Sequence, residues 1–212
     1  IERAFEQLRV ALLEQRARRE PPLCDTKILC SWNAFAVRAF AEAGHELDDE
    51  PYRDVARRTA EFLLGQLWVD GRLYHVHSHG EPRIEGFLED WAALGNALLT
   101  LHETTGEVRW IAPARACVDA ILDRFHDPAT GRLYDTPCDA EPLVVRPRDL
   151  PDSATPSGHS LAVELLLRGG DVLERPQGRA VAERALGDQR DLMVRHPEAF
   201  GRLLRQAERL AT

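Results

Sequence analysis

Lys27 is the only lysine among 27 basic residues, and it stands two positions after Asp25 at the edge of the apolar stretch "CDTKILCSWNAFAVRAFAEAG". In an extended segment that spacing sets ammonium and carboxylate on one side, where they can hold each other or a ligand. Trp32 and Asn33 follow within the same stretch. Two further groups have comparable content: Glu85, Glu89, Asp90 and Trp91, then Ser153, Thr155, Ser157 and His159. Carboxylates beside indole rings suit a polar, sugar-like ligand, and paired proton-transfer groups are what sugar chemistry requires. Asp25, Glu89, Asp90 and His159 are therefore the candidate catalytic residues. Lys27, Trp32, Asn33, Trp91 and Ser157 are the candidate ligand contacts. Each also has a structural reading. Acidic residues are favoured in a first helical turn by the dipole alone; the tryptophans suit a core; Thr155 or Ser157 suits a helix cap.

"HVHSH" puts His75, His77 and His79 on one face of a strand, a pattern that can bind a transition metal but also fills a solvated hairpin. No carboxylate partner stands inside the motif, so no metal site is assigned and no cofactor is expected. Ser157 and Ser160 flank His159 without a fixed third group, which is weak support for a nucleophilic hydrolase. Four irregularly spaced cysteines read as free thiols rather than a disulfide framework. A formal charge of −8 over 212 residues argues against a nucleic-acid or anionic-membrane partner. No apolar run is long enough to span a bilayer, and a cytoplasmic location is expected.

Positioning these groups falls to a repeat of about sixty residues, marked by "GRLY" at 71–74 and 131–134. Each unit holds an apolar segment, a turn, a one-sided helical segment, then GRLY and a polar hairpin. The first runs from Ser31, a plausible N-cap, to Gly44, a plausible stop, with Trp32, Phe35 and Phe40 on a nearly all-apolar circumference. Its partner starts at Pro51, with Val55, Phe62, Leu63 and Leu67 as its stripe. The second unit pairs 87–101 with 108–125, the latter carrying Trp110, Ala114, Cys117, Val118, Ile121 and Phe125 in register. A third pairs 155–167 with 178–195; "HPEAFGRLLRQAERL" closes the chain, and Phe5, Leu8 and Leu12 stripe a helix that ends before Pro21-Pro22. Buried helices alternating with half-buried ones imply two concentric layers, an all-α partial α/α toroid of about eight helices with short β-hairpins at one end. One domain over 1–212, the last part of a longer protein, is the expected organisation.

The segments "DTKILCSWNAF", "GFLEDWAAL", "VVRPRDLPDSATPSGHSLA" and "HPEAFGRLL" resemble the C-terminal half of thioredoxin-domain-containing proteins of the YyaL and spermatogenesis-associated type. Positions matching that family's motifs are Asp25, Lys27, Trp32, Asn33, Gly86, Asp90, Ala92, Pro156, Ser157, Gly158 and Ser160, with departures at Thr26, Ala34, Trp91 and His159. The resemblance implies a toroid similar to six-hairpin glycosidases and N-acylglucosamine 2-epimerases, and a thioredoxin-like domain elsewhere in full-length relatives. It places a site without naming a reaction. The expected function is a carbohydrate-binding or carbohydrate-modifying module, epimerase- or glycosidase-like, with a sugar or another polar small molecule as ligand. The alternative is a non-catalytic scaffold docking a thioredoxin-like domain or its clients.

Overall fold

The computed structural model describes residues 2–211, the side chain of Asp171 aside. Eight α-helices are present among them: α1 (Glu2–Ala17), α2 (Cys30–Glu46), α3 (Glu50–Phe62), α4 (Leu88–Thr105), α5 (Ile111–Ala120), α6 (Gly158–Val172), α7 (Pro176–Arg195) and α8 (Gly201–Ala211). Helices α2, α4 and α6 pack side by side as an inner layer, and α3, α5 and α7 each lean on the inner helix that precedes them. The chain thus folds as an arc of an α/α toroid.

Burial follows the layers. From Trp91 to Leu101 every residue of α4 is buried, and so is 157–166 at the start of α6. On the outer α5 and its extensions the six residues Trp110, Ala114, Cys117, Val118, Ile121 and Phe125 are at most 2% exposed, matching the stripe read from spacing. The α3 stripe lies one step round from expectation: Ala56, Ala60, Leu63 and Leu67 are buried, while Val55 and Phe62 flank them. Helix α2 is less enclosed than a fully apolar circumference suggests, because it ends the arc and has an inner neighbour on one side only. Trp32 on its open side is 60% exposed.

Two helix boundaries differ from the sequence reading. Ser31 lies inside α2 and caps nothing; its N–H donates to Asp90 Oδ1 at 3.1 Å. Gly44 does not stop α2, which runs on to Glu46. It is glycine because a Cβ there would meet Arg53 N at 2.9 Å and Asp49 O at 3.1 Å, where α3 crosses. The entry to α3 follows expectation, with Asp49 accepting from Tyr52 N at 3.3 Å ahead of Pro51.

The repeat is real in three dimensions. Both outer helices end in a π-helical turn, Leu63–Leu67 and Ile121–Phe125, before their GRLY segments. The first GRLY forms the expected hairpin, β3 (Arg72–Ser78) with β4 (Glu81–Glu85), extended by β1 (Ile28–Leu29) and β2 (Trp68–Val69) on the other side of β3. Because β1 leads into α2 and β4 leads into α4, this sheet gathers the N-terminal ends of two inner helices. The second GRLY does not form the expected hairpin. Only β5 (His126–Asp127) and β6 (Arg132–Leu133) pair, and 134–157 runs without regular structure. Pro137, Pro142 and Pro147 interrupt any ladder there, since proline offers no N–H to a partner strand. Arginines hold the loop instead: Arg148 Nε donates to Leu133 O at 2.9 Å and Arg146 Nη2 to Thr136 O at 2.5 Å.

Helix α1 buries no residue, leaving Phe5, Leu8 and Leu12 at least 58% exposed. All four cysteines are free, Cys30 and Cys117 buried, Cys24 and Cys138 exposed. Among the described residues no helix is long and apolar enough to cross a membrane.

Candidate functional site

At the N-terminal ends of α4 and α6 the irregular loop 134–157 encloses a cavity of about 310 Å³, lined by Phe87, Glu89, Asp135, Thr136, Pro147, Asp149, Ser153, Thr155, Pro156, Ser157 and Gly158. Three carboxylates share it and no basic side chain does. The two helix ends approach closely: a Cβ on Gly158 would meet Glu89 N at 2.9 Å, so only glycine lets α6 begin against the first turn of α4.

Each carboxylate is set by backbone geometry. Asp135 O accepts from Leu88 N at 2.9 Å, tying the loop to the start of α4, and Asp135 Oδ2 accepts from Asp149 N at 2.6 Å. Burial, opposed by that hydrogen bond and reinforced by the charge of Asp149, pushes the Asp135 carboxyl up to about 6. Burial likewise raises Glu89, with the Asp90, Asp135 and Asp149 charges adding and His75 opposing. Two carboxyl groups in one cavity are thereby moved toward the range in which they exchange protons near neutrality.

Behind Glu89, the fully buried Asp90 is an organising anion. Its Oδ2 accepts from Phe87 N at 2.9 Å and lies 2.9 Å from His75 Nδ1, while Oδ1 takes Ser31 N from α2. Asp90 therefore ties the hairpin, α2 and α4 together. Its hydrogen bond raises the pKa of His75, against the opposing effect of burial. His75, Glu89 and Asp90 each offer a ligand atom, all within 4.8 Å of one another. A cation there would compete with the three hydrogen bonds that Asp90 already accepts, so the donor set reads first as a histidine–carboxylate pair.

Glu89 and Ser157 line the cavity, with Asp90 just beneath it. Ser157 Oγ caps α6 by accepting from Ser160 N at 3.1 Å and donates to Leu150 O at 3.0 Å. His159, 1% exposed, lies one position beyond the lining residue Gly158; neither ring nitrogen has a hydrogen-bond partner among the described residues, and burial drops its pKa to about 4. Asp25 and Lys27 pair at 3.1 Å on the exposed N-terminal segment, apart from the cavity. Trp32 faces solvent, and Asn33 Nδ2 donates to Leu29 O at 2.8 Å within α2. Trp91 is core, packed edge-on against Trp68 with centroids 5.0 Å apart. Of the three histidines only His75 joins the acidic cluster. His77 packs its edge on Phe62 at 5.5 Å, and His79 sits in the hairpin turn at φ 55°.

Asp135 and Asp149 were not among the residues expected. One signal could have found the first. Residues following GRLY are His75 in one unit and Asp135 in the other, and both copies deliver a titratable group to the start of α4.

A stretch of 168 residues is 30% identical to spermatogenesis-associated protein 20 of Homo sapiens, covering 74% of this chain and 21% of that protein. The chain is homologous to part of that protein. It spans only about a fifth of that relative's length. No protein-family model matches the chain. Among solved structures, cellobiose 2-epimerase from Spirochaeta thermophila superimposes with a TM-score of 0.61 at 20% identity, covering 77% of this chain and 43% of the epimerase. Unsaturated glucuronyl hydrolase from Bacillus sp. GL1 gives 0.59 at 20% identity, covering 82% and 50%. At that identity the likeness shows the fold alone, an α/α toroid shared with sugar epimerases and glycosidases.

Proposed function

We propose that the cavity at the N-terminal ends of α4 and α6 binds a neutral or amino sugar and moves a proton on it. The observation that supports this is the pairing of Glu89 and Asp135, two carboxyl groups with raised pKa in one cavity. A carboxyl pair with both members raised supplies a proton donor and a proton acceptor, as epimerisation beside a carbonyl or protonation of a glycosidic oxygen requires. Asp90 acts through His75 as a positioning group, and Ser157 offers its oxygen from the helix cap. Three carboxylates and no basic side chain in the cavity lining oppose an anionic sugar and favour an uncharged or cationic one, although His75 and Arg148 lie close behind the wall. Asp25, Lys27, Trp32 and Asn33 belong to this proposal only as residues of the same end of the arc, outside the cavity wall. His159 and Trp91 support it from the core.

Thermal shifts of the 212-residue chain with glucose, cellobiose, glucosamine and glucuronate test the reading, since a ligand of the folded state alone raises the melting temperature. Stabilisation by the first three and not by glucuronate is expected, together with loss of any turnover in Asp135→Asn and Glu89→Gln. No stabilisation by any of them, or full turnover in both variants, would refute it. A second reading, a module docking a thioredoxin-like domain or its clients, draws on the uncovered stripe of Phe5, Leu8 and Leu12.

A further inference from the structure

A second cavity, of about 510 Å³, lies at the opposite end of the arc, between the C-terminal halves of α2, α4 and α6, the start of α7 and the end of α8. Its charge is inverted. Arg38, Arg168, Arg179, Arg205 and Arg209 line it against two carboxylates, Glu42 and Glu103, although the whole chain carries −8. Some of these arginines have structural partners. Arg38 bonds Glu42 and Glu164, and Arg168, only 9% exposed, reaches Asn96, Thr100 and Glu103. Compensation of a helix C-terminal dipole accounts for Arg209, in the last turn of α8. It does not account for Arg179, which sits at the N-terminal start of α7 where the dipole opposes a cation. Nor does it account for Arg205, mid-helix in α8, which makes no ion pair among the described residues.

A guanidinium has five N–H donors, and the bonds given to Arg38 and Arg179 leave several unused. Forks converging from four helices match the several oxygens of a phosphate better than a single carboxylate, and the volume suits a small metabolite. We propose that this cavity is a binding site for a small phosphorylated compound, separate from the acidic cavity and independent of the sugar reading.

Titration calorimetry of the 212-residue chain with inorganic pyrophosphate at low salt tests this. One bound anion per chain is expected, weakened about tenfold or more in Arg205→Glu and in Arg179→Glu, and unchanged in Asp149→Asn at the other end. Both arginines are exposed, so neither change disturbs the core, and unaltered melting curves would show that. Absence of heat with the unmodified chain, or equal affinity in both arginine variants, overturns the proposal.

Discussion

Asp135 carries the sharpest consequence of the site. Its carboxyl titrates near 3.8 when unfolded and about 6 when folded, so between those values the folded chain binds the proton more tightly. Its contribution to stability is therefore fully present below the lower value and is lost as pH rises through the upper one. Asp135→Asn keeps an acceptor for Asp149 N while removing the charge. It should flatten stability between pH 4 and 6 and stabilise the chain at pH 7, on the order of 1 kcal/mol after allowance for solvent screening. Urea unfolding across that pH range checks it; an unchanged slope would mean the carboxyl is ordinary. Glu89, Asp90 and Ser157 were visible because helix starts have recognisable chemistry. Asp149 was not, because an aperiodic loop gives no rule for where a side chain points, and Asp135 was marked only by its place after the second GRLY.

Elements meet here through small residues as much as through large ones. Gly158 lets the first turn of α6 lie on the backbone of Glu89, and the cavity exists because those ends are adjacent. Gly158→Ala must push backbone rather than a flexible tip, so a loss of about 1–3 kcal/mol is expected, with weakened sugar binding beyond that loss. Retained stability and binding together would show that the helix ends can part freely. Helical elements were legible because burial repeats every three to four residues, which is why the α5 stripe matched at all six positions. The second hairpin failed for an equally local reason: its prolines remove the donors a ladder needs, and arginine side chains bond the loop carbonyls instead.

At the scale of the molecule, charge ties the inner helices to one another and to α8. Arg38 of α2 and Glu164 of α6 meet at 2.9 Å across α4, and Arg202 of α8 pairs with the same carboxylate. With Glu164 2% exposed, removing it leaves Arg202 without its carboxylate and Arg38 with Glu42 alone, beside a buried arginine. Glu164→Ala should cost about 3–5 kcal/mol, more than a surface ion pair could. Denaturant unfolding with a loss below about 1 kcal/mol would mean that the network is solvated and α8 is held by its apolar face alone. The same arrangement separates two cavities of opposite charge, acidic where inner helices begin and basic where they end.

Composition and spacing alone determined the helices, their two-layer order and the repeat, because each follows from short-range periodicity and capping. Tertiary structure decided which of the polar groups share a space. Asp25 and Lys27 stay on an exposed segment, Trp91 goes to the core, and Asp135 and Asp149 come in from a loop. That choice depends on how helices pack and on which carbonyls a loop can bond, contacts between residues far apart in the chain that no local pattern encodes.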